Sequence, residues 1–155
     1  MIKTAILTVS STRTKDNDES GKVLKQGLGN EYQIIEYDIV SDDEKAITRK
    51  LEFYCDNQKV DLILTNGGTG FSASDITPEA TLKIADKLAP GISELIRAEG
   101  LKKTKRAALS RGISALKGKT LIINLPGSPK GAKESLEAVI DLLPHAIKMI
   151  NGGGH

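Results

Sequence analysis

The sequence predicts an α/β protein whose parallel sheet is covered by helices on both faces. Three observations carry this. Short apolar runs rich in β-branched residues stand at Ile2–Val9, Tyr32–Val40 and 60–65, as expected for strands buried on both sides. The stretches between them carry apolar residues at helical spacing. Parallel neighbours also require a crossover connection, so strand, helix, strand, helix, strand is the order such a sheet imposes.

The elements follow in order. After the first strand, Val23, Leu24 and Leu28 mark a helix that Gly29-Asn30 stops, with Asp16 and Asp18 opening it. A second helix is expected over 43–57, with Ala46, Ile47, Leu51, Tyr54 and Cys55 on one face and Ser41 or Asp42 as its cap; Asp43 can exchange roles with Asp42. The third strand runs into a glycine-rich loop, NGGTGFSASDI, closed by Thr77 as cap and Pro78 as first helical residue. Helical pattern then covers 78–88 and, after Pro90-Gly91, a segment with Ile92, Leu95, Ile96 and Leu101. The basic stretch 102–117 fits short strands or a loop. A last core strand at 119–125 breaks at Pro126-Gly127-Ser128-Pro129, and a helical pattern over 130–150 is kinked or divided by Pro144.

Composition narrows the function. The 155 residues suit one domain spanning 1–155, and 39% hydrophobic content supplies a core for it. Aromatic residues make up 3% and Trp is absent, which speaks against stacking on nucleic-acid bases; the net charge of +2 names no polyanionic partner. One cysteine and two histidines cannot form an intrachain disulfide or a structural zinc site. With no secretory leader and no apolar run long enough to span a bilayer, the expectation is a soluble, cytoplasmic protein without a membrane partner.

In an open α/β sheet the loops leaving the parallel strands gather at one edge, where ligands bind. Those loops hold Ser10 to Arg13, Ser41 to Asp43, Asn66 to Ile76 and Pro126 to Gly131. Gly67, Gly68, Thr69 and Gly70 directly follow a strand, letting the backbone approach an anion and aim N–H groups at it; phosphate is the natural guest, although glycines needed only for positive φ would look the same. The fragment Gly68 to Ala73 loosely fits a dinucleotide fingerprint, but it follows the third strand and its helix starts too late. Asp75 precedes a helix start, where a carboxylate is favourable in any case; beside a phosphate loop it is also a candidate magnesium ligand, with Asp42 as the second carboxylate. Pro126, Gly127, Ser128 and Lys130 bring a hydroxyl, a cation and a helix N-terminus to the same rim. Lys102, Lys103, Lys105 and Arg106 read as a solvated face, with phosphate attraction as the alternative; His145 reads as an ordinary helix residue and Cys55 as core.

With these loops together, the sequence resembles the MoaB/Mog family of molybdenum-cofactor biosynthesis proteins. The resemblance rests on Thr65-Asn66-Gly67-Gly68-Thr69-Gly70-Phe71 through Asp75-Ile76-Thr77-Pro78-Glu79-Ala80-Thr81, and on Leu125-Pro126-Gly127-Ser128-Pro129-Lys130-Gly131. It extends over nearly the whole chain, including Ser11, Arg13, Asp42 and the Gly152-Gly153-Gly154-His155 ending; Thr12 stands where the family's pattern has an aspartate. The resemblance implies a three-layer sandwich with a mostly parallel central sheet, a molybdopterin-binding fold, assembled as a homotrimer or homohexamer. It further implies transfer of AMP from ATP, with Mg2+, to the terminal phosphate of molybdopterin, releasing pyrophosphate. Asp42 and Asp75 fall at the magnesium and catalytic positions; Ser11, Arg13, the glycine loop and the segment from Pro126 to Lys130 fall where substrate is held. A non-catalytic molybdopterin-binding or carrier protein of the same pathway is the alternative.

Overall fold

A computed structural model describes residues 1–153, so Gly154 and His155 of the glycine-rich ending lie outside the described residues. The chain runs β1 (Ile2–Val9), α1 (Glu19–Gly27), β2 (Tyr32–Val40), α2 (Glu44–Glu52), β3 (Leu62–Asn66), α3 (Thr77–Ile84), β4 (Lys87–Leu88), α4 (Pro90–Leu101), β5 (Ser114–Lys117), β6 (Thr120–Leu125), α5 (Pro129–Val139) and α6 (Leu143–Ile150). A π-turn at Phe53–Asn57 follows α2, and a 3₁₀ turn at Lys105–Leu109 precedes β5. One six-stranded sheet has the order β2-β1-β3-β6-β5-β4. Its first four strands are parallel, and β5 and β4 add an antiparallel end.

Strand pleat divides the core into two layers. Ile6, Leu62, Leu64, Leu121, Ile123 and Leu125 point to one face, where they pack with Leu24 of α1, Ile96 of α4, Leu136 of α5 and Ile147 of α6. Ala5, Leu7, Ile63 and Ile122 point to the other, against Ile47 and Leu51 of α2, Tyr54 of the π-turn and Ala80 of α3. The result is the expected three-layer sandwich. Leu64 is fully buried in a central strand, so Leu64→Ala removes three carbons' worth of packing with no room to collapse. Urea unfolding should show a loss of about 2–5 kcal/mol.

Several boundaries differ from the sequence reading. The second helix does not run unbroken over 43–57: α2 ends at Glu52, and the π-turn carries Tyr54 into the core. Its cap is neither Ser41 nor Asp42 but Asp43, whose carboxylate accepts from the Ala46 N–H at 2.9 Å. The helix expected over 78–88 ends at Ile84, because Lys87 and Leu88 pair with β5 instead. Thr77 is the first residue of α3, not its cap; its hydroxyl donates to the Gly67 carbonyl. Pro144 sits in the first turn of α6 and so divides the last helical segment in two.

Cys55 lies half-buried in the π-turn, and burial pushes its thiol up to about 11. At neutral pH almost no thiolate is present to act as a nucleophile. A maleimide should therefore label the folded protein slowly at pH 7.5 and the urea-unfolded protein fast; rapid labelling of the folded protein would contradict the core assignment.

Candidate functional site

The chain leaves β1 toward β2 on one side and β3 toward β6 on the other, so the C-terminal ends of β1 and β3 border a topological switch point, the usual ligand crevice of such sheets. Gly67 stands there with φ +97°, and a Cβ on it would lie 2.4 Å from the Val9 carbonyl oxygen. Only glycine lets the loop leave β3 across the end of β1. Gly68 also has positive φ, and its Cβ would meet Thr77 Oγ1 at 2.2 Å. The Gly67 N–H donates to the Leu125 carbonyl at 3.1 Å, and a Cβ on Gly127 would lie 3.1 Å from Gly67 Cα. The two long motifs of the sequence therefore touch, backbone to backbone.

Asp75 closes the outer part of the glycine loop. Its Oδ2 accepts from the Ser72 N–H at 3.0 Å and from the Ser72 hydroxyl at 2.8 Å. Asp42, freed from capping by Asp43, accepts instead from the Ser11 hydroxyl at 2.9 Å, while its own N–H donates to Ser11 Oγ at 3.2 Å. This reciprocal pair joins the loops after β1 and β2. Both aspartates are half-buried.

Arg13 links the first loop to the last: its Nη2 donates to the Gly127 carbonyl at 2.8 Å, an oxygen that also accepts from the Ser20 hydroxyl. Behind it lies Asp18, fully buried, whose role exceeds opening a helix. Its carboxylate accepts from the Gly21 N–H at 3.1 Å, the Thr8 hydroxyl at 2.6 Å and the Tyr37 hydroxyl, with Arg13 Nη1 at 3.6 Å. Thr8 in turn accepts from Asn66 Nδ2 at 2.9 Å. One buried carboxylate thus braces the ends of β1, β2 and β3 and, through Arg13, the Gly127 turn. Burial and the Asp18 hydrogen bond push the Tyr37 hydroxyl far up, so it donates at any working pH.

A cavity of about 410 Å3 opens beside these loops, in the range of small-molecule sites. Thr69, Gly70, Pro126 and Ser128 line it, together with Lys103, Arg106 and the acidic Glu99 and Glu134. Half of the basic cluster read as a solvated face therefore lines a pocket, which a count of charges along the chain cannot disclose; Lys102 pairs with Glu99. Ser128 also caps α5, accepting from the Gly131 N–H at 3.0 Å. Lys130 has its side chain 87% exposed, at 3.9 Å from Glu134, and like Asp42 and Asp75 it is not among the residues lining the cavity. Sequence reasoning also missed Arg111, which donates to the carbonyls of Gly70 and Asp75 and to Glu79. Its guanidinium holds the Glu79 carboxyl below the usual range.

Among the described residues no group of three or more His, Cys, Asp or Glu side chains forms a metal cage. Two separate carboxylates are nevertheless hard oxygen donors of the kind Mg2+ takes together with substrate phosphates, and both hydrogen-bond through Oδ2. The donor set fits that ion.

Residues 5–145 match the family described as "Probable molybdopterin binding domain". The chain belongs to that family. Within it, the chain is 41% identical to the molybdopterin adenylyltransferase of Helicobacter pylori J99, over 97% of this chain and 89% of that one. It is 42% identical over 94% of its length to the Drosophila melanogaster molybdenum cofactor synthesis protein cinnamon, of which it spans 25%. Among solved structures, the molybdopterin biosynthesis enzyme MoaB of Thermus thermophilus superposes with a TM-score of 0.91 at 45% identity, covering 98% of each chain. The Mog protein of Mycobacterium ulcerans gives 0.88 at 37% identity, covering 98% of this chain and 99% of that one. No helix among the described residues is long and apolar enough to cross a membrane.

Proposed function

We propose that this chain is a molybdopterin adenylyltransferase of molybdenum-cofactor biosynthesis, transferring AMP from ATP to the terminal phosphate of molybdopterin. The reading is supported by two half-buried carboxylates, Asp42 in the loop after β2 and Asp75 in the loop after β3, which leave parallel strands at the same edge of the sheet as the glycine loop. A protein that merely holds an anionic pterin gains nothing from acidic side chains beside it, whereas a nucleotidyltransferase needs them.

In the reaction a phosphate oxygen of molybdopterin attacks the α-phosphorus of ATP. A P–O bond forms as the bond to the bridging oxygen breaks, and pyrophosphate leaves with the electron pair. The nucleophile is already anionic, so no protein base is required and the task is alignment and charge compensation. Gly67 has spent its N–H on Leu125, which leaves Gly68, Thr69 and Gly70 to offer backbone donors to phosphate oxygens. Arg13 and Ser20 hold the Gly127 turn against this loop. Arg106 brings a cation to the cavity wall, while Lys103 is paired there with Glu134 at 3.5 Å. When bound, Mg2+ offsets charge on the ATP phosphates and the departing pyrophosphate, and Asp42 and Asp75 would hold it. The protein would work in the cytoplasm, as one domain over 1–155, in trimers or hexamers that sedimentation would reveal; a strict monomer at micromolar concentration would refute that assembly.

The test is pyrophosphate release on incubation with molybdopterin, ATP and Mg2+. It should require all three. Tight pterin binding with no pyrophosphate would leave a carrier.

A further inference from the structure

Arg111 holds the glycine loop through its backbone and its guanidinium together. Its backbone N–H donates to the Thr69 carbonyl at 2.8 Å, Nε to the Gly70 carbonyl at 2.7 Å and Nη2 to the Asp75 carbonyl at 2.7 Å. Nη1 donates to Glu79 Oε2 at 2.7 Å and Nη2 to Oε1 at 3.2 Å, a two-pronged grip on the first turn of α3. The guanidinium thus spans the loop from Gly70, through the backbone of Asp75, to the helix that follows. Arg111 is itself held from behind: Nη1 of Arg97, on α4, donates to the carbonyls of Ser110 and Gly112 at 3.2 and 2.8 Å. These two carbonyls flank Arg111.

We propose that Arg111 is a positioning residue for adenylyl transfer, fixing the outer half of the glycine loop so that the Asp75 carboxylate is presented in one place. This rests on the adenylyltransferase reading. The planar fork of arginine matches a carboxylate and two carbonyls in a way the single ammonium of lysine cannot. Gly67 and Gly68 are anchored independently, through Leu125 and Thr77, so the inner half of the loop stays put without Arg111. Loss of Arg111 therefore separates two properties that a general unfolding would lose together.

The test compares Arg111→Ala, Arg111→Lys, Asp75→Asn and the Arg111→Ala/Asp75→Asn double variant in the full chain. Arg111→Ala should lower kcat about 10²-fold, the size expected when a catalytic group is displaced by about an ångström. Molybdopterin affinity measured without Mg2+ should fall by far less than kcat, because Gly68 and Thr69 keep their bonds to the Thr77 N–H and to the backbone N–H of position 111. Added to Asp75→Asn, Arg111→Ala should cost no more than about a further 2-fold, because the group it positions is already gone. Arg111→Lys, which keeps the charge and the backbone bond, should show the same pattern in a milder form and serves if the alanine variant fails to fold. Losses that multiply in the double variant, or a kcat near that of the parent, would overturn the proposal. Hydrogen exchange gives a readout free of turnover: amides in 70–76 should exchange about 10-fold faster in Arg111→Ala or Arg111→Lys while those of β3 and β6 do not change. Unchanged exchange in 70–76 would sink the positioning role even in an active enzyme. If the parent protein transfers no adenylyl group, the adenylyltransferase reading fails, and with it the catalytic part of this proposal; the exchange result still decides whether Arg111 holds the loop.

Discussion

Asp75→Asn, and separately Asp42→Asn, should lower adenylyl transfer by orders of magnitude while leaving a folded protein that still binds molybdopterin. Asparagine keeps an oxygen able to accept from Ser72 at position 75 and from Ser11 at position 42, so the loop geometry survives. What disappears is the negative charge. Without Mg2+, a carboxylate about 4 Å from a phosphate repels it by about 1 kcal/mol in water and about 4 kcal/mol at an effective dielectric of 20, so metal-free pterin binding should hold or improve. Magnesium-dependent ATP affinity should weaken in both variants. Titrations of each ligand, with thermal melts beside them, check the contrast. Near-normal turnover by either variant would remove that aspartate from the reaction, and parallel loss of folding and pterin binding would make its role structural.

Gly67→Val should be the most damaging single change in the glycine loop. A β-branched residue at φ +97° is strained by about 1–3 kcal/mol, and its Cβ would collide with a backbone oxygen, that of Val9, which cannot turn aside as a side chain can. Overpacking adds about 1–3 kcal/mol more. Gly68→Val meets the Thr77 hydroxyl instead, which can rotate, though only by giving up its bond to Gly67. Thermal melts should therefore rank parent above Gly68→Val above Gly67→Val. Pterin and nucleotide affinity should fall together in both variants, because the loop is proposed to serve both ligands. A stable Gly68→Val protein with unchanged affinity for both would make that loop structural only.

Much of this was legible from local pattern. β1 and β6 are apolar runs whose burial the runs describe, whereas β2, read as a buried strand, is the outer strand of the sheet and is mostly half-buried, in keeping with its Gln33, Glu36 and Asp38. β4 has two residues and β5 four, too short for periodicity to register; β5 pairs on the edge that β6 offers, and β4 on the edge of β5. The glycine loop, the Gly127 turn, Asp42 and Asp75 were visible as residue types following strands. The choice between Asp42 and Asp43 as the cap was not, since it turns on Ser11, 31 residues away, claiming Asp42. Distance along the chain also hid the supporting residues: Arg111 reaches Gly70 across 41 positions, and Arg13 reaches Gly127 across 114. Asp18 looks like a plain helix cap because the residues that make it a buried hub, Thr8 and Tyr37, lie on two different strands.

The proposed joining of a nucleotide to a pterin at this sheet edge is tested most directly by the identity of the product. After incubation with molybdopterin, ATP and Mg2+, the pterin released from the protein should have gained the mass of one AMP, and phosphorus NMR should show a new phosphoanhydride between the two. Release of unaltered molybdopterin, with ATP intact, would contradict the account.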